Sequence, residues 1–272
     1  MQKKPFHGKV IIITGSGSGI GKATARMAGQ QGGRVVLNGR NAEKLERAEQ
    51  SLRALGVTVL AVVADVATVA GAQYLVDATL QHYGKIDILI NNAGMSSRGY
   101  FASLAPAVME DMLRINVLGS LYPTRAALAA LKETHGSVVF VSSVAGIRGL
   151  PETSLYCASK MALTSVAESL RVELWEDRIH VGIVYVGITQ NDHGKQVIDA
   201  DGTRIPLRQR DQGRAQTPQA VAKSVLRLIR RRRFKTTLTI LGKVNRWANV
   251  LFPRVVDIFL VRSKDRIARM NR

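Results

Sequence analysis

Tyr156 and Lys160 stand four residues apart within Ser154–Trp175, a stretch of helical character, so they share one helix face one turn apart. A phenol with a pKa of about 10 is a poor proton donor or acceptor at neutral pH. A neighbouring ammonium favours the phenolate and brings that pKa toward the working range. Alone, the pair is a weak signal, because helices carry it by chance. It gains force from Ser142-Ser143 at the end of the preceding apolar run and from Asn91-Asn92-Ala93-Gly94 at the end of another. The chemistry such a set supports is proton transfer to or from an oxygen atom.

A second constellation lies near the N-terminus. The apolar run Val10–Thr14 ends in Gly15-Ser16-Gly17-Ser18-Gly19-Ile20-Gly21-Lys22. Glycines between a strand and a helix let the backbone approach a pyrophosphate, and the helix N-terminus points N–H groups at that anion. The common G-x-G-x-x-G fingerprint fails here, because its third glycine position falls on Ile20 or Lys22. What fits is T-G-x-x-x-G-x-G on Thr14, Gly15, Gly19 and Gly21. The candidate cradle comprises Gly15, Ser16, Ser18, Gly19, Ile20 and Gly21. At the end of the second strand a carboxylate would accept from a ribose 2′-OH, while an arginine accommodates a 2′-phosphate. Here the chain reads Asn38-Gly39-Arg40-Asn41, with no acid, so NADP(H) is expected ahead of NAD(H). The rival reading makes Arg40 a solvated charge near a helix start. Asp65 either accepts from the adenine amino group or holds a turn.

The elements that must position these residues are short apolar runs alternating with helical segments. The runs Val10–Thr14, Arg34–Leu37, Val57–Val62, Ile86–Ile90, Ser137–Val141 and His180–Tyr185 read as strands buried on both faces. Helical segments between them include Ala42–Leu55, Ala70–Tyr83, Ala107–Leu131 and Ser154–Trp175. This alternation predicts an α/β fold, a doubly wound parallel sheet of the Rossmann type. In such sheets ligands bind at the carboxyl ends of the strands, where all the motifs above fall. Residues 1–242 read as one NADP-binding catalytic domain, with 187–217 as a substrate lid loop and 243–272 as a basic amphipathic extension. A helix from Pro218 to about Arg232 and a strand near Thr236–Leu241 follow the lid.

Together these residues resemble the classical short-chain dehydrogenase/reductase family over about residues 8–191. The resemblance rests on Thr14–Gly21, Asp65, Asn91–Gly94, Asn116, Ser143 and Tyr156/Lys160, and the interval of 13 residues to Tyr156 selects Ser143 over Ser142. It implies that Tyr156 gives a proton to a substrate carbonyl or takes one from an alcohol, while Ser143 orients that oxygen. Lys160 then holds the nicotinamide ribose and lowers the Tyr156 pKa, and Asn116 supports a proton-supplying water chain. Asn92, Ala93, Gly94, Tyr156, Lys160, Gly187 and Thr189 join the cofactor contacts. One departure concerns the usual P-G-x-x-x-T segment, which here has Val186 for the proline and Asn191 for the threonine. Cys157, the one cysteine, reads as packing, and no metal site is expected from the histidine spacing.

Apolar residues at Met95, Tyr100, Phe101, Val144, Ile147 and Leu150 suit a lipophilic carbonyl or alcohol, such as a steroid, retinoid, fatty-acyl or sphingoid-base compound; they suit core or interface equally. Asp199, Asp201, Arg204, Arg208 and Arg210 of the lid have no assigned ligand. The charge is uneven: the chain is +19, yet residues 1–203 hold 20 basic and 17 acidic side chains against 19 and 3 in 204–272. In the tail, Val244, Trp247, Val250 and Leu251 recur opposite Lys243 and Arg246. Val255, Val256, Phe259 and Leu260 recur between Arg254 and Arg262. That pattern suits an anionic membrane surface first, packing or a dimer contact second, and nucleic acid least. No signal segment or membrane-spanning run is read, so the expected location is cytoplasmic, with peripheral attachment to the cytoplasmic membrane face. A homodimer or homotetramer is expected. The rival functions are a non-catalytic NADP-sensing regulator and a membrane-tethered scaffold.

Overall fold

A computed structural model describes residues 4–192, 194–207 and 215–271. Its strands β1 (Val10–Ile13), β2 (Arg34–Gly39), β3 (Val59–Val63), β4 (Ile88–Asn91), β5 (Ser137–Ser143), β6 (His180–Val186) and β9 (Lys235–Thr237) form one sheet. The order is β3-β2-β1-β4-β5-β6-β9, with every pairing parallel. Side chains alternate across the sheet. Ile11, Ile13, Val35, Leu37, Ile88, Ile90, Val139 and Val184 face a layer built from α1 (Gly19–Gln30), α2 (Ala42–Arg53) and α7 (Pro218–Arg230). Val10, Ile12, Val36, Leu89, Val138, Phe140 and Ile183 face α3 (Val69–Tyr83), α5 (Gly119–Glu133) and α6 (Ser154–Glu173). Two buried faces explain why these strands read as continuous apolar runs. The doubly wound α/β class read from the sequence is what the chain adopts.

Three elements differ from the sequence expectation. The single helix over Ala107–Leu131 is instead α4 (Pro106–Leu113) and α5, joined by a π-helical turn at Arg114–Leu118. One inserted residue in a helical turn leaves the hydrophobic period almost unchanged, so periodicity does not reveal it. The segment read as a lid loop contains a small antiparallel hairpin, β7 (Gln196–Ile198) with β8 (Arg204–Pro206). Its turn is held by Asp201 Oδ1, which accepts from the Thr203 backbone N–H and hydroxyl. Three-residue strands are too short to show an alternation. Finally, β9 stops at Thr237 because Thr239 caps a new helix, α8 (Ile240–Leu251), accepting from the Gly242 N–H. Pro253 then opens α9 (Pro253–Asn271). Among the described residues, no helix is long and apolar enough to cross a membrane.

Candidate active site

The sheet reverses direction of winding between β1 and β4, and the two loops at that crevice are stitched together. Thr14 Oγ1 accepts from the backbone N–H of Asn92 (3.0 Å) and Ala93 (2.9 Å), while Asn92 Nδ2 donates to the carbonyls of Thr14 and Gly15. The closeness this requires falls on particular glycines. A Cβ on Gly15 would stand 2.8 Å from Ala93 Cα, and one on Gly21 would stand 2.5 Å from Gly15 O. Gly15 and Gly19 also have φ of +63° and +55°. Gly17 makes no such demand, because its nearest neighbour would be 3.6 Å away. Steric need thus selects Gly15, Gly19 and Gly21. Ser18 is the exposed N-cap of α1 and makes no side-chain cap, so the first-turn N–H groups have no side-chain acceptor there. This cradle fits a pyrophosphate. The Ser16 hydroxyl turns inward, donating to Ile13 O and accepting from Asn38 N, and the Ser16 N–H donates to Asn38 O, so Ser16 joins the loop to β2 and turns neither group to a ligand. Ile20, in the first turn of α1, packs against the core.

At the adenosine end, Asn38 is buried and its amide donates to the carbonyls of Val62 and Ala64. The side chain left at the mouth is Arg40, about half exposed, 3.9 Å from Asp65 Oδ2. Asp65 acts as a turn residue, its Oδ1 accepting from Ala67 N, while its Oδ2 is turned to Arg40. A residue missed by sequence reasoning joins it. Arg114, in the π turn, stands 3.6 Å from the same oxygen and is held by Asp111 at 2.8 Å.

The proton-transfer set lies one strand further along. Ser143 ends β5 and accepts from Ala145 N at 3.2 Å. Ser142 beside it is buried and donates to Lys160 O, so its hydroxyl clamps α6 and has no reach to a ligand. Tyr156 and Lys160 occupy successive turns of α6, with Nζ 5.9 Å from the phenol ring centroid. Lys160 is buried and donates to Val141 O at 3.2 Å. Burial pushes its ammonium down to about 8, and the Lys195 charge pushes the same way. Asn116 is fully buried in the π turn. Its Oδ1 accepts from Met95 N (2.8 Å), and Nδ2 donates to Met95 O (3.0 Å) and Ser159 Oγ (2.9 Å). Ser159, unnoticed in the sequence, donates in turn to Tyr156 O. Gly94 lies between these groups, since a Cβ there would stand 3.0 Å from Asn116 Oδ1 and 3.4 Å from Lys160 Nζ.

The loop after β6 completes the crevice. Thr189 is buried and donates to Gly187 O, and its strand-like bridge to Gln216 fixes the backbone. Asn191 Nδ2 donates to Leu207 O, while Asn191 Oδ1 and Gln216 Oε1 are buried acceptors without a donor among the described residues. Such acceptors suit a ligand that brings N–H groups, as a carboxamide does.

A family model described as short chain dehydrogenase matches residues 9–202. This chain belongs to that family. It is 36% identical over 227 residues to Dehydrogenase/reductase SDR family member 7B of Bos taurus, covering 80% of this chain and 69% of that protein. It is 38% identical over 189 residues to 11-beta-hydroxysteroid dehydrogenase 1A of Arabidopsis thaliana, covering 69% and 54%. The chain therefore spans between about half and just over two thirds of these relatives' lengths. Among solved structures, a short chain dehydrogenase/reductase from Burkholderia phymatum in complex with NAD superposes with a TM-score of 0.79 at 27% identity, covering 92% of this chain and 96% of that one. A metagenomic short-chain oxidoreductase in complex with NADP gives 0.72 at 25%, covering 86% and 97%. The family's fold thus accepts either nicotinamide dinucleotide.

Within this short-chain dehydrogenase, one wall beside Tyr156 is apolar. Met95, Leu155, Tyr156 and Ile198 pack around Leu104, Val108 and Met112, bringing the lid hairpin against α4. Tyr100 and Phe101, by contrast, are exposed. Cys157 is buried with Thr153 Oγ1 3.5 Å from its sulfur, a packing position. Asp199 is engaged by Arg98 at 3.5 Å, and Arg208 and Arg210 lie outside the described residues. The matched family segment ends before α7, α8 and α9. The start of α8 is nevertheless seated against the site. Thr239 is so close to Gly187 that a Cβ there would stand 2.5 Å from Thr239 Cγ2, and a Cβ on Gly242 would stand 2.7 Å from Val144 Cγ1. The tail's Val244, Trp247, Val250, Leu251, Val255 and Phe259 remain exposed.

Proposed function

We propose that this chain is an NADP(H)-dependent reductase of a lipophilic ketone, able to run in reverse on the secondary alcohol. The end of β2 carries the cofactor part of the reading: Asn38 is turned into the sheet and Arg40 stands where a ribose-reading carboxylate would stand. When bound, the nicotinamide supplies or accepts the hydride. The chain's own residues handle the proton and the oxygen. Tyr156 transfers its hydroxyl proton to the substrate oxygen, Ser143 Oγ donates a hydrogen bond to that oxygen, and the Lys160 ammonium favours the phenolate left behind. Asn116 holds the Met95 loop and Ser159 so that the α6 face stays aligned. The apolar wall at Met95, Leu155 and Ile198 supports a lipophilic substrate, as does the hydroxysteroid in the name of one relative.

The exposed apolar face of α8 and α9 supports a second element of the reading, a tail resting on an anionic membrane. Trp247, Val250, Val255 and Phe259 lie on it, with Lys243, Arg254 and Arg262 exposed nearby. Pairing of two copies through the helices that follow β4 and β5 is the accompanying expectation, supported on α6 by the exposed Met161 and Val172. A screen of NADPH and NADH oxidation over lipophilic ketones tests the central claim. Tyr156→Phe is expected to abolish turnover while NADPH still binds. Arg40→Ala is expected to weaken NADPH about 10- to 100-fold, the worth of a charge-assisted hydrogen bond of ~1.5–3 kcal/mol, and NADH far less. Equal loss for both nucleotides refutes the 2′-phosphate role, and retained turnover in Tyr156→Phe refutes the catalytic one.

A further inference from the structure

We propose that Arg148 is a tie through which docking of α8 and α9 on an anionic bilayer orders the loop that follows Ser143; this rests on the membrane reading given under the proposed function. Arg148 lies five residues beyond Ser143, between Gly146 and Gly149 and ahead of the start of α6. Its side chain is only 15% exposed, although the residue belongs to a connecting loop. Both of its terminal nitrogens are taken up by the tail. Nη1 donates to Asn249 Oδ1 on α8, and Nη2 donates to Asp257 Oδ1 on α9. Its Nε is buried without an acceptor among the described residues. The guanidinium is therefore held by two helices more than 100 positions away in sequence.

Asp257 gives this pair its meaning. It is the one acidic residue between Asp211 and Asp265, in the most basic part of the chain. A carboxylate in the same helix opposes docking on anionic lipid, and Arg148 neutralises it. Among the described residues it is also the tail's one ion pair with the rest of the chain. The carboxylate is 63% exposed, so in water the bond is weak and screened by salt. Against a bilayer the surrounding dielectric falls and the same pair strengthens. The root of α8 already presses on Val144 and on Gly187, so the hairpin is seated on the loops after β5 and β6. Strengthening one distal contact then fixes the intervening residues 144–149. In solution the loop is loosely tied; at the membrane, where a lipophilic substrate resides, it is held. Arg148 is thus a positioning residue and touches no reacting atom.

Hydrogen exchange on the full chain, with phosphatidylserine-containing vesicles and with phosphatidylcholine vesicles, tests the tie. In the wild type, the anionic vesicles are expected to slow exchange in 244–262 and to slow 144–150 about tenfold, the response of a local opening made rarer. In Arg148→Gln the tail is expected to remain protected while the change in 144–150 falls below about twofold. Asp257→Ala should behave alike, and the double variant should lose nothing more. Equal protection of 144–150 in Arg148→Gln overturns the proposal, as does a wild-type loop that ignores vesicles while the tail is protected. An unprotected wild-type tail refutes the membrane reading itself, and the tie with it. Unchanged melting temperature and NADPH binding in Arg148→Gln separate lost coupling from misfolding.

Discussion

Lys160 carries a charge in a place that disfavours charge, and removing it should make the protein more stable. Burial pushes its pKa from 10.5 to about 8, with a smaller push from Lys195. The folded value lies below the unfolded one, so the unfolded chain binds more protons between about pH 8 and 10.5 and stability rises with pH across that window. Below pH 8 the full penalty is present. At ~1.4 kcal/mol per pKa unit, the gap corresponds to about 3 kcal/mol. Lys160→Met keeps the length and apolar stem but loses the charge-assisted bond to Val141 O, worth ~1.5–3 kcal/mol. The cofactor-free variant is therefore expected to be more stable than wild type by about 1 kcal/mol near pH 7. That advantage should vanish and reverse as the pH approaches ~10.5. Urea unfolding of both proteins in steps from about pH 7 to about pH 10 reads the difference directly. Turnover should be lost throughout, a trade of stability for function. A pH-independent difference, or a variant that is the less stable one near pH 7, refutes the assignment of Lys160 as a strained buried cation.

Two further outcomes concern the scaffold. Gly21→Ala should cost roughly 1–3 kcal/mol by forcing Gly15 and Asn92 apart and should abolish nucleotide binding, whereas Gly17→Ala should leave both nearly unchanged; thermal melts with and without NADPH check the contrast. Asn116→Ala strips partners from Met95 N, Met95 O and Ser159 Oγ, so a loss of roughly 2–4 kcal/mol in chemical denaturation is expected, with turnover falling alongside.

The sites differ in how far local sequence could reveal them. The glycine turn was legible because its demand is steric and local: three positions need φ > 0 or the absence of a Cβ, and the pattern states which. Ser143 was distinguished from Ser142 by spacing, and the structure supplies the reason in the bond from Ser142 to Lys160 O. Arg114, Ser159 and Gln216 left no signal, because each gains its role from a partner on another element. The π turn at Asn116 was hidden for a different reason, since one extra residue scarcely alters a helical period.

The amino-acid order by itself therefore determined the doubly wound sheet, through strands apolar on both faces, and the Tyr156/Lys160 alignment, through helical geometry. It also determined the division between a nearly neutral body and a basic tail, which is arithmetic on side chains. Only the tertiary structure decided that Lys160 is buried enough to be depressed to about 8. It alone placed Arg148 between Asn249 and Asp257, and turned Asn38 inward so that Arg40 is left at the cofactor crevice. Desolvation and ion pairing depend on what the rest of the chain brings within a few ångströms, and local sequence carries no record of neighbours a hundred residues away.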